Sequence, residues 1–471
     1  MNSRLLIKEI KLLLRDFKFQ IFIMLSLALF ILSAFSGAVA YNVQSEDYRN
    51  LVEEHQKMVF EGSELFMSKL IAYKRAVSVN DVPSPALLFS SYDDFPNRAR
   101  SGILFYNPRF HKISESGSVV FELNWNFILG TLMGFMMLIL SFEAVSKEKR
   151  NGTLRLLSIY GFKRQSILWC KFISYMLLYL IIIIPPSLIS MMLFFALTGT
   201  WDITYMLQFI AIILISLPFA SFFLFLGIFI SMAKNYRNAI ITVIFVWLLF
   251  VIIIPQSAEI FGKQLSPIKS TLDYQQQRKK AFDDEFEIWY QQYGLYVGSN
   301  QRVKEGLRAQ AVNAADEKQN IVELREINDS IRQMKMIQRI SNLSPLNQFE
   351  KISEVIFNKG SYLFENIQKT LMTSRSQIRN LIIEQDKRDP ASLNLLYAWA
   401  ENDTGSLIGT GETAFSNQQF EYPNLLFVTN IQSDDALNRT LKIILRLLPI
   451  LILNLLLIIG SVLKLERLDI R

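Results

Sequence analysis

The residues best suited to chemistry lie in one charged stretch between two long apolar segments. It runs from Ser141 to Phe172, reads SFEAVSKEKRNGTLRLLSIYGFKRQSILWCKF, and holds seven Lys and Arg residues and two Glu residues. Such cations can pair with the carboxylates of a partner, and the leucines among them can bury apolar surface. If the flanking segments span a membrane, the stretch is a cytoplasmic loop that holds a partner. An ordinary basic loop is the alternative, because positive-inside bias alone produces one.

The sequence lacks the motifs of common hydrolases and nucleotide sites. The nearest approach to a Gly-x-x-x-x-Gly-Lys-Ser/Thr phosphate loop, Gly405 to Gly411, lacks the lysine. There is also no His-Glu-x-x-His helix and no Gly-x-Ser-x-Gly elbow. Paired carboxylates at Asp93-Asp94, Asp283-Asp284 and Asp434-Asp435 lie in polar segments, where they indicate turns or solvated faces. One Cys and two His exclude a disulfide framework and metal sites built from several such ligands.

Composition and apolar runs place the chain in a membrane. Hydrophobic residues make up 51% of the sequence, with 36 Phe, which exceeds the usual content of a soluble domain. Several runs approach or exceed the roughly 20 residues that cross a bilayer core of about 30 Å. The predicted spans are 19–40, 125–142, 172–197, 206–230, 239–254 and 443–462. Arg446 is the only Lys, Arg, Asp or Glu within these limits.

Orientation follows from the positive charge of the short connecting segments. Residues 1–18, the 143–171 loop, the turn after 230 and the tail 463–471 are rich in Lys and Arg for their length. Both termini are therefore expected inside. The long insertions, 41–124 and 255–442, are then expected outside. The net charge of +7 reflects these inner segments rather than a nucleic-acid surface.

The first 18 residues have the pattern of an amphipathic helix in the membrane interface. On a helical wheel the five basic residues fall in one arc, and the apolar residues fall opposite them. The basic set is Arg4, Lys8, Lys11, Arg15 and Lys18. We expect the apolar face to lie among acyl chains and the basic face to meet anionic headgroups or a cytosolic partner. A simple positive-inside flank would explain the number of positive charges but not their position on one face of the helix.

The two insertions are predicted to form one mainly helical extracytoplasmic domain. Residues 41–124 begin as a continuation of the first span and then become Pro-rich. From Ser266 to about Asp389 the second insertion is charged, and its apolar positions recur every three or four residues, which favours helical hairpins. The stretch from Asp389 to Pro423 has the composition of a loop. The fold class is thus an all-α polytopic membrane protein.

Helix breakers and one polar residue lie within the spans. Prolines remove a backbone hydrogen bond and can bend a helix, so they can form hinges or line a path. These residues are Pro185, Pro186, Pro218, Pro449 and the amide Asn454. A purely structural role is the alternative for each proline, and for the amide we expect interhelical packing rather than substrate contact.

The charged loop resembles the cytoplasmic loop of ABC-2 type permeases, the membrane subunits of one class of ATP-binding-cassette transporter. The resemblance rests on an acidic residue, a Gly-Thr-Leu, a Leu-Leu-Ser and a basic pair that runs into the third span. Here these are Glu148, Gly152, Thr153, Leu154, Leu156, Leu157, Ser158, Lys163 and Arg164, followed by Lys171. The family's frequent proline after the serine is absent, and Tyr160-Gly161 lie near its place. The long insertion before the last span and the basic tail also resemble one bacterial subgroup.

The resemblance implies that a separate ATPase subunit docks on this loop. Short helices on either side of Tyr160-Gly161 would offer Leu154, Leu156, Leu157 and Ile159 as an apolar contact. Basic side chains would pair with acidic groups of the ATPase, namely those of Lys147, Lys149, Arg150, Lys163 and Arg164. ATP and Mg would bind that partner, and this chain would carry neither cofactor nor catalysis.

Three functions remain open from the sequence. In the first, two such chains, identical or related, form a twelve-span exporter in a bacterial inner membrane. In the second, ATP-driven motion is transmitted through the outer domain to an envelope partner without transport. The third is a receptor or scaffold without an ATPase. The substrate is not readable from the sequence.

Overall fold

The N-terminal segment forms a short helix that ends before the first span begins. The computed structural model describes residues 3–60, 76–89, 96–103, 108–111, 123–233, 236–293, 301–392, 416, 418–420, 422–432 and 434–467. Helix α1 (Ser3–Leu14) ends before Asp16, and helix α2 (Phe17–Phe60) begins after it. The Asp16 carboxylate accepts a hydrogen bond from the Lys18 backbone N–H at 3.0 Å, as a helix-capping aspartate does. The predicted amphipathic helix through Lys18 is therefore too long, because Lys18 belongs to α2.

The membrane portion contains the six predicted spans. After α2 come a π-helical turn (Phe127–Leu132) with α3 (Met133–Ser141), α4 (Ser146–Arg150), α5 (Thr153–Ile159), α6 (Arg164–Thr198), α7 (Ile203–Ser231) and α8 (Tyr236–Leu248). A second π-helical turn (Leu249–Ile253) joins α8 to α9 (Ile254–Leu265). With the C-terminal helix α14 (Ala436–Glu466), the described part of the chain contains six helices that are long and apolar enough to span a membrane. A mostly helical polytopic fold is thus confirmed.

Beyond α9, the described part of the second insertion contains four α-helices, two of which pack against each other. Its helices are α10 (Thr271–Tyr293), α11 (Gln301–Ser341), α12 (Pro345–Phe357) and α13 (Gly360–Arg388). Helices α10 and α11 pack side by side, and the Tyr274 hydroxyl donates to the Asp329 carboxylate at 2.9 Å. Arg278 lies 3.3 Å from Glu326 across the same pair. Most of the predicted loop from Asp389 to Pro423 lies outside the described residues.

A small sheet joins the two insertions, and the sequence did not predict it. Its strands are β1 (Ala76–Asn80), β2 (Arg98–Gly102), β3 (Arg109–His111) and β4 (Phe427–Val428), in the order β3-β2-β1-β4. Strand β4 pairs parallel to β1, whereas the other pairs are antiparallel. Apolar side chains of the sheet and of α13 form a separate core. These include Val77, Val79, Ala99, Leu363, Ile367 and Leu371. We call this unit the insertion domain.

Helix α12 connects the insertion domain to the spans. Its apolar side chains Leu346, Phe349 and Ile352 are buried in the core that the spanning helices form. The Phe349 ring stacks on that of Phe219 in α7, with centroids 5.1 Å apart. Helix α14 (Ala436–Glu466) then follows as the last span. We call the side of the bundle that carries α1, α4 and α5 the loop side.

Candidate functional site

Two glycines divide the loop into its short helices. Gly152 follows α4 with φ +71°, and Gly161 follows α5 with φ +77°. A Cβ at either position would meet nothing within 4 Å, so the left-handed backbone and not lack of space favours glycine. Both short helices precede Tyr160-Gly161. The prediction of a short helix on each side of that turn is therefore wrong, because α6 itself begins at Arg164.

The leucines of the loop do not share one surface. Leu154 is buried in the core of the spans, and Leu157 is partly buried against the same core. The Thr153 hydroxyl donates to the Glu148 backbone oxygen at 3.2 Å and so links α5 to α4. Leu154 therefore anchors the loop to the bundle, and it is not exposed to a partner as the sequence analysis expected.

A second set of apolar side chains on α5 faces away from the protein. Leu156, Ile159 and Tyr160 are 55%, 71% and 80% exposed. Positions three and four apart lie on one helix face, so the three form a continuous surface that we call the apolar ridge. The Tyr160 N–H continues the helical pattern by donating to the Leu156 oxygen at 3.0 Å. Around the ridge the side chains of Lys147, Lys149, Arg150, Arg155 and Lys163 are exposed.

A buried lysine joins the loop to the helices beside it. The Lys171 side chain is 4% exposed, and its Nζ lies 2.8 Å from Glu148 Oε1 and 3.5 Å from Glu9 Oε1. These residues belong to α6, α4 and α1, so one ammonium group connects three elements. We call them the ion triad. Glu148 and Lys171 belong to the predicted loop motif, whereas their pairing and the role of Glu9 were not predicted from the sequence.

Further ion pairs connect the same elements closer to solvent. Lys18 lies 3.0 Å from Glu143, and Lys147 lies 3.8 Å from Asp16. Both pairs join the α1–α2 region to the start of the loop. Exposed pairs of this kind contribute little each, so the ion triad is the main electrostatic link.

The basic pair Lys163-Arg164 is divided between two environments. Lys163 is exposed, whereas Arg164 Nη1 donates to the backbone oxygens of Leu465 at 3.0 Å and Glu466 at 2.7 Å. These carbonyls lie in the last turn of α14, so the guanidinium caps its C-terminus. The structure thus gives Arg164 a contact within the chain that the sequence did not reveal.

The loop is also tied to the end of α7. The Ser231 hydroxyl accepts hydrogen bonds from the backbone N–H groups of Val145 at 2.6 Å and Ser146 at 3.0 Å. Those amides open α4 and lack a partner within that helix. The end of the fourth span is therefore joined directly to the charged loop.

A cleft separates α1 from the loop helices. It has a volume of about 450 Å³ and is lined by residues of α1, of the loop and of α6, including Lys8, Leu12, Leu156, Tyr160 and Tyr175. Lys8, Lys11 and Arg15 of the predicted basic face are exposed, and Arg4 lies on α1 with its side chain outside the described residues. The loop side thus presents a cleft with an apolar ridge at its border.

The helix breakers lie on different faces of the spans. Pro185 and Pro449 are exposed on the bundle surface, Pro186 is buried, and Pro218 is partly buried. The Asn454 amide is satisfied within the protein: Nδ2 donates to the Pro218 and Ile450 oxygens at 2.8 and 3.0 Å. Its Oδ1 accepts from the Ser221 hydroxyl at 2.9 Å. Asn454 therefore binds α14 to α7, which agrees with interhelical packing.

Arginines of α14 hold α12 at the opposite end of the bundle. Arg439 Nη2 donates to the backbone oxygens of Val355 at 3.0 Å and Ile356 at 3.1 Å, and Arg446 Nη1 donates to that of Lys351 at 2.5 Å. The charge at Arg446, unusual within a span, thus has a backbone partner. Among the described residues, no group of three or more His, Cys, Asp and Glu could hold a metal ion.

Comparison with known proteins gives one match. The family model described as ABC-2 family transporter protein matches residues 4–374. That range includes the first five spans, the loop and α12. No curated protein and no solved structure matches the chain.

Proposed function

This chain belongs to the ABC-2 transporter family, and we propose that it is the membrane subunit of an ATP-driven exporter whose separate ATPase subunit docks on the apolar ridge. The family consists of transporter membrane subunits that are typically not catalytic themselves. ATP and Mg then bind the ATPase subunit. The membrane is a bacterial cytoplasmic membrane, with both termini on the cytoplasmic side and the insertion domain outside.

The observation that carries this proposal is the exposure of Leu156, Ile159 and Tyr160 in a charged loop. Three large apolar side chains on one face of a short helix mark a surface that a partner covers. Exposed cations around the ridge fit acidic groups at the border of the contact. Since the ion triad and Ser231 fix the loop to α1, α6 and α7, motion of a docked subunit reaches the spans directly.

A second chain completes the pathway in this proposal. In the most apolar 18 residues of the fifth span, 11% of the residues are buried within one chain, and the value for the sixth span is the same. Lipid or a second permease can cover such faces, and two chains with six spans each enclose a pathway that one does not. We propose a twelve-span assembly of two identical or related chains.

The test is co-purification from membranes in mild detergent, with mass spectrometry and ATPase assays in lipid nanodiscs. A soluble subunit with a phosphate loop should accompany the wild-type chain. The double variant Leu156→Glu/Tyr160→Glu should lose it while remaining in the membrane. Leu343→Glu is the matched control, because Leu343 is 65% exposed and lies between α11 and α12. Retention of the ATPase by the double variant would contradict docking on the ridge.

Mechanical transmission to an envelope partner is the second candidate, and α12 favours it. This helix is buried among the spans at Phe349, and its end is joined to the insertion domain by the 2.5 Å ion pair between Lys359 and Asp81. It continues into α13, which supports the sheet. Movement of α7 or α14 would therefore reach the sheet through packed elements. ATP-dependent changes in the insertion domain without any transported substrate would favour this function.

A further inference from the structure

The insertion domain has three arginines and one histidine on one face of its sheet. In the pairing of β2 with β3, Arg100 lies directly opposite Arg109, and Arg98 lies opposite His111. Directly opposed residues point to the same face, with Cα atoms about 5 Å apart. We call these four residues the cationic face. Like charges in this arrangement destabilise a sheet, so folding alone does not account for them.

The described residues provide little compensation for these charges. Within that part of the chain, Arg100, Arg109 and His111 are exposed and make no ion pair or side-chain hydrogen bond. Arg98 Nε is buried without a hydrogen-bond partner. The pKa of Arg98 is lowered, mainly by burial and also by the charge of Arg100, and Glu54 of α2 only partly opposes this shift. Arg100, Arg109 and His111, the exposed members of the cationic face, are therefore available to an external anion.

The cationic face lies too far above the membrane for the headgroups of that membrane to be the anion it binds. Arg98 lies in the field of Glu54, which is roughly 20 Å beyond the predicted span end at Ala40, at about 1.5 Å per helical residue. Headgroups extend only about 5–8 Å beyond the hydrocarbon core. The anion must therefore come from a molecule that reaches the insertion domain from solution.

Two features indicate an extended polypeptide. Strand β3 is the outermost described strand of the sheet, and no described strand pairs with its second edge. Such an edge presents backbone groups that another polypeptide strand can pair with. Cations at alternate positions of a strand are about 6.8 Å apart, which is also the spacing of alternate side chains in an added strand. A phosphate polymer matches the charge but not the backbone edge.

We propose that the cationic face docks an extended acidic segment of a partner protein. The segment adds to the edge of β3, and its alternate Asp or Glu side chains meet Arg109 and His111, with Arg100 behind them. Guanidinium groups suit this task, because their planar donors bind carboxylates in pairs. This interaction goes beyond the transport function and does not depend on it.

The test uses the full chain in lipid nanodiscs and a fluorescent peptide of alternating Glu and Val residues. Anisotropy should show binding that weakens with added salt, and an alternating Lys and Val peptide should not bind. Arg100→Glu/Arg109→Glu should weaken binding by at least about tenfold. The matched control is Lys279→Glu/Lys280→Glu, which reverses two exposed cations on α10 and should bind as the wild type does.

The neutral variant Arg100→Gln/Arg109→Gln protects the test against misfolding. It relieves the repulsion of like charges, so it should unfold at the wild-type temperature or above while still losing the peptide. Equal binding by the wild type and both arginine variants, or no binding at all, would overturn the proposal. Binding of inorganic polyphosphate but not of the peptide would also overturn it. Co-purification of the ATPase should be unchanged in every case.

Discussion

The ammonium of Lys171 lies 2.8 Å from the carboxylate of Glu148, and this contact ties the loop to the third span. Glu9 approaches the same ammonium at 3.5 Å, so α1 shares the contact. Neither partner is adjacent to Lys171 in sequence. The loop helices, α1 and α6 therefore form a single unit on the loop side.

Lys171→Met should destabilise the protein by about 3 kcal/mol, because it leaves two largely buried carboxylates without a counter-charge. The double variant Lys171→Met/Glu148→Gln should recover part of the loss. Thermal unfolding in detergent measures both effects. Lys147→Met is the control, since the Lys147 side chain is 54% exposed and should change stability little. Equal effects at Lys171 and Lys147 would contradict the ion triad.

Arg164→Gln should loosen the end of α14 by about 1–2 kcal/mol, because the Leu465 and Glu466 carbonyls lose a charged donor. Hydrogen exchange of the last turn of α14 should then be faster. Lys163→Gln should leave that exchange unchanged, since Lys163 is exposed. If both variants left exchange unchanged, Arg164 would not cap the helix.

Gly130→Ala should destabilise the contact between α12 and the second span by about 1–3 kcal/mol. An added Cβ would lie 2.5 Å from Leu346 Cδ1, and Leu346 is buried. Leu346→Ala should relieve the clash, so the double variant should lose less stability than the two single variants together. Gly460→Ala is the matched control, because its Cβ would lie 3.6 Å from the Phe229 ring. Additive losses in thermal unfolding would contradict the close approach.

Glu350 on α12 should make stability depend on pH. Burial raises its pKa to about 7 from the ordinary 4.5, and Lys351 opposes the rise. The pKa of Glu350 is higher in the folded than in the unfolded state, so the folded state is the one that holds this proton more tightly. The free energy of unfolding is therefore highest below pH 4.5, where the carboxyl is neutral in both states, and it falls as pH rises toward 7. Glu350→Gln should match the wild type near pH 4.5 and exceed it at pH 8, by about 3 kcal/mol at most.

Thermal unfolding at both pH values measures this effect. Glu384→Gln serves as the control, because the Glu384 side chain is 62% exposed. A constant difference between Glu350→Gln and the wild type across this range would contradict the raised pKa.

The apolar runs of the sequence were sufficient to predict the six spans, since a membrane demands long uninterrupted helices. The sheet was missed because its strands contain two to five residues and two of them pair across most of the chain. In the loop, composition could not separate Leu154 from Leu156, because the short helix sets which of them faces inward. Arg164 caps a helix about 300 residues away, and no local pattern reveals such a partner.

The pairing of β1 with β4 determines when the insertion domain can fold during synthesis of the chain. Ser78 lies beside Phe427, so the sheet is incomplete until the chain has been synthesised as far as β4. Of the six candidate spans in the described part of the chain, five precede β4 and one follows it. Neither insertion excised alone contains all four strands. The insertion domain therefore cannot be completed before the fifth span has been synthesised, and a complete sheet shows that the chain extends at least to β4.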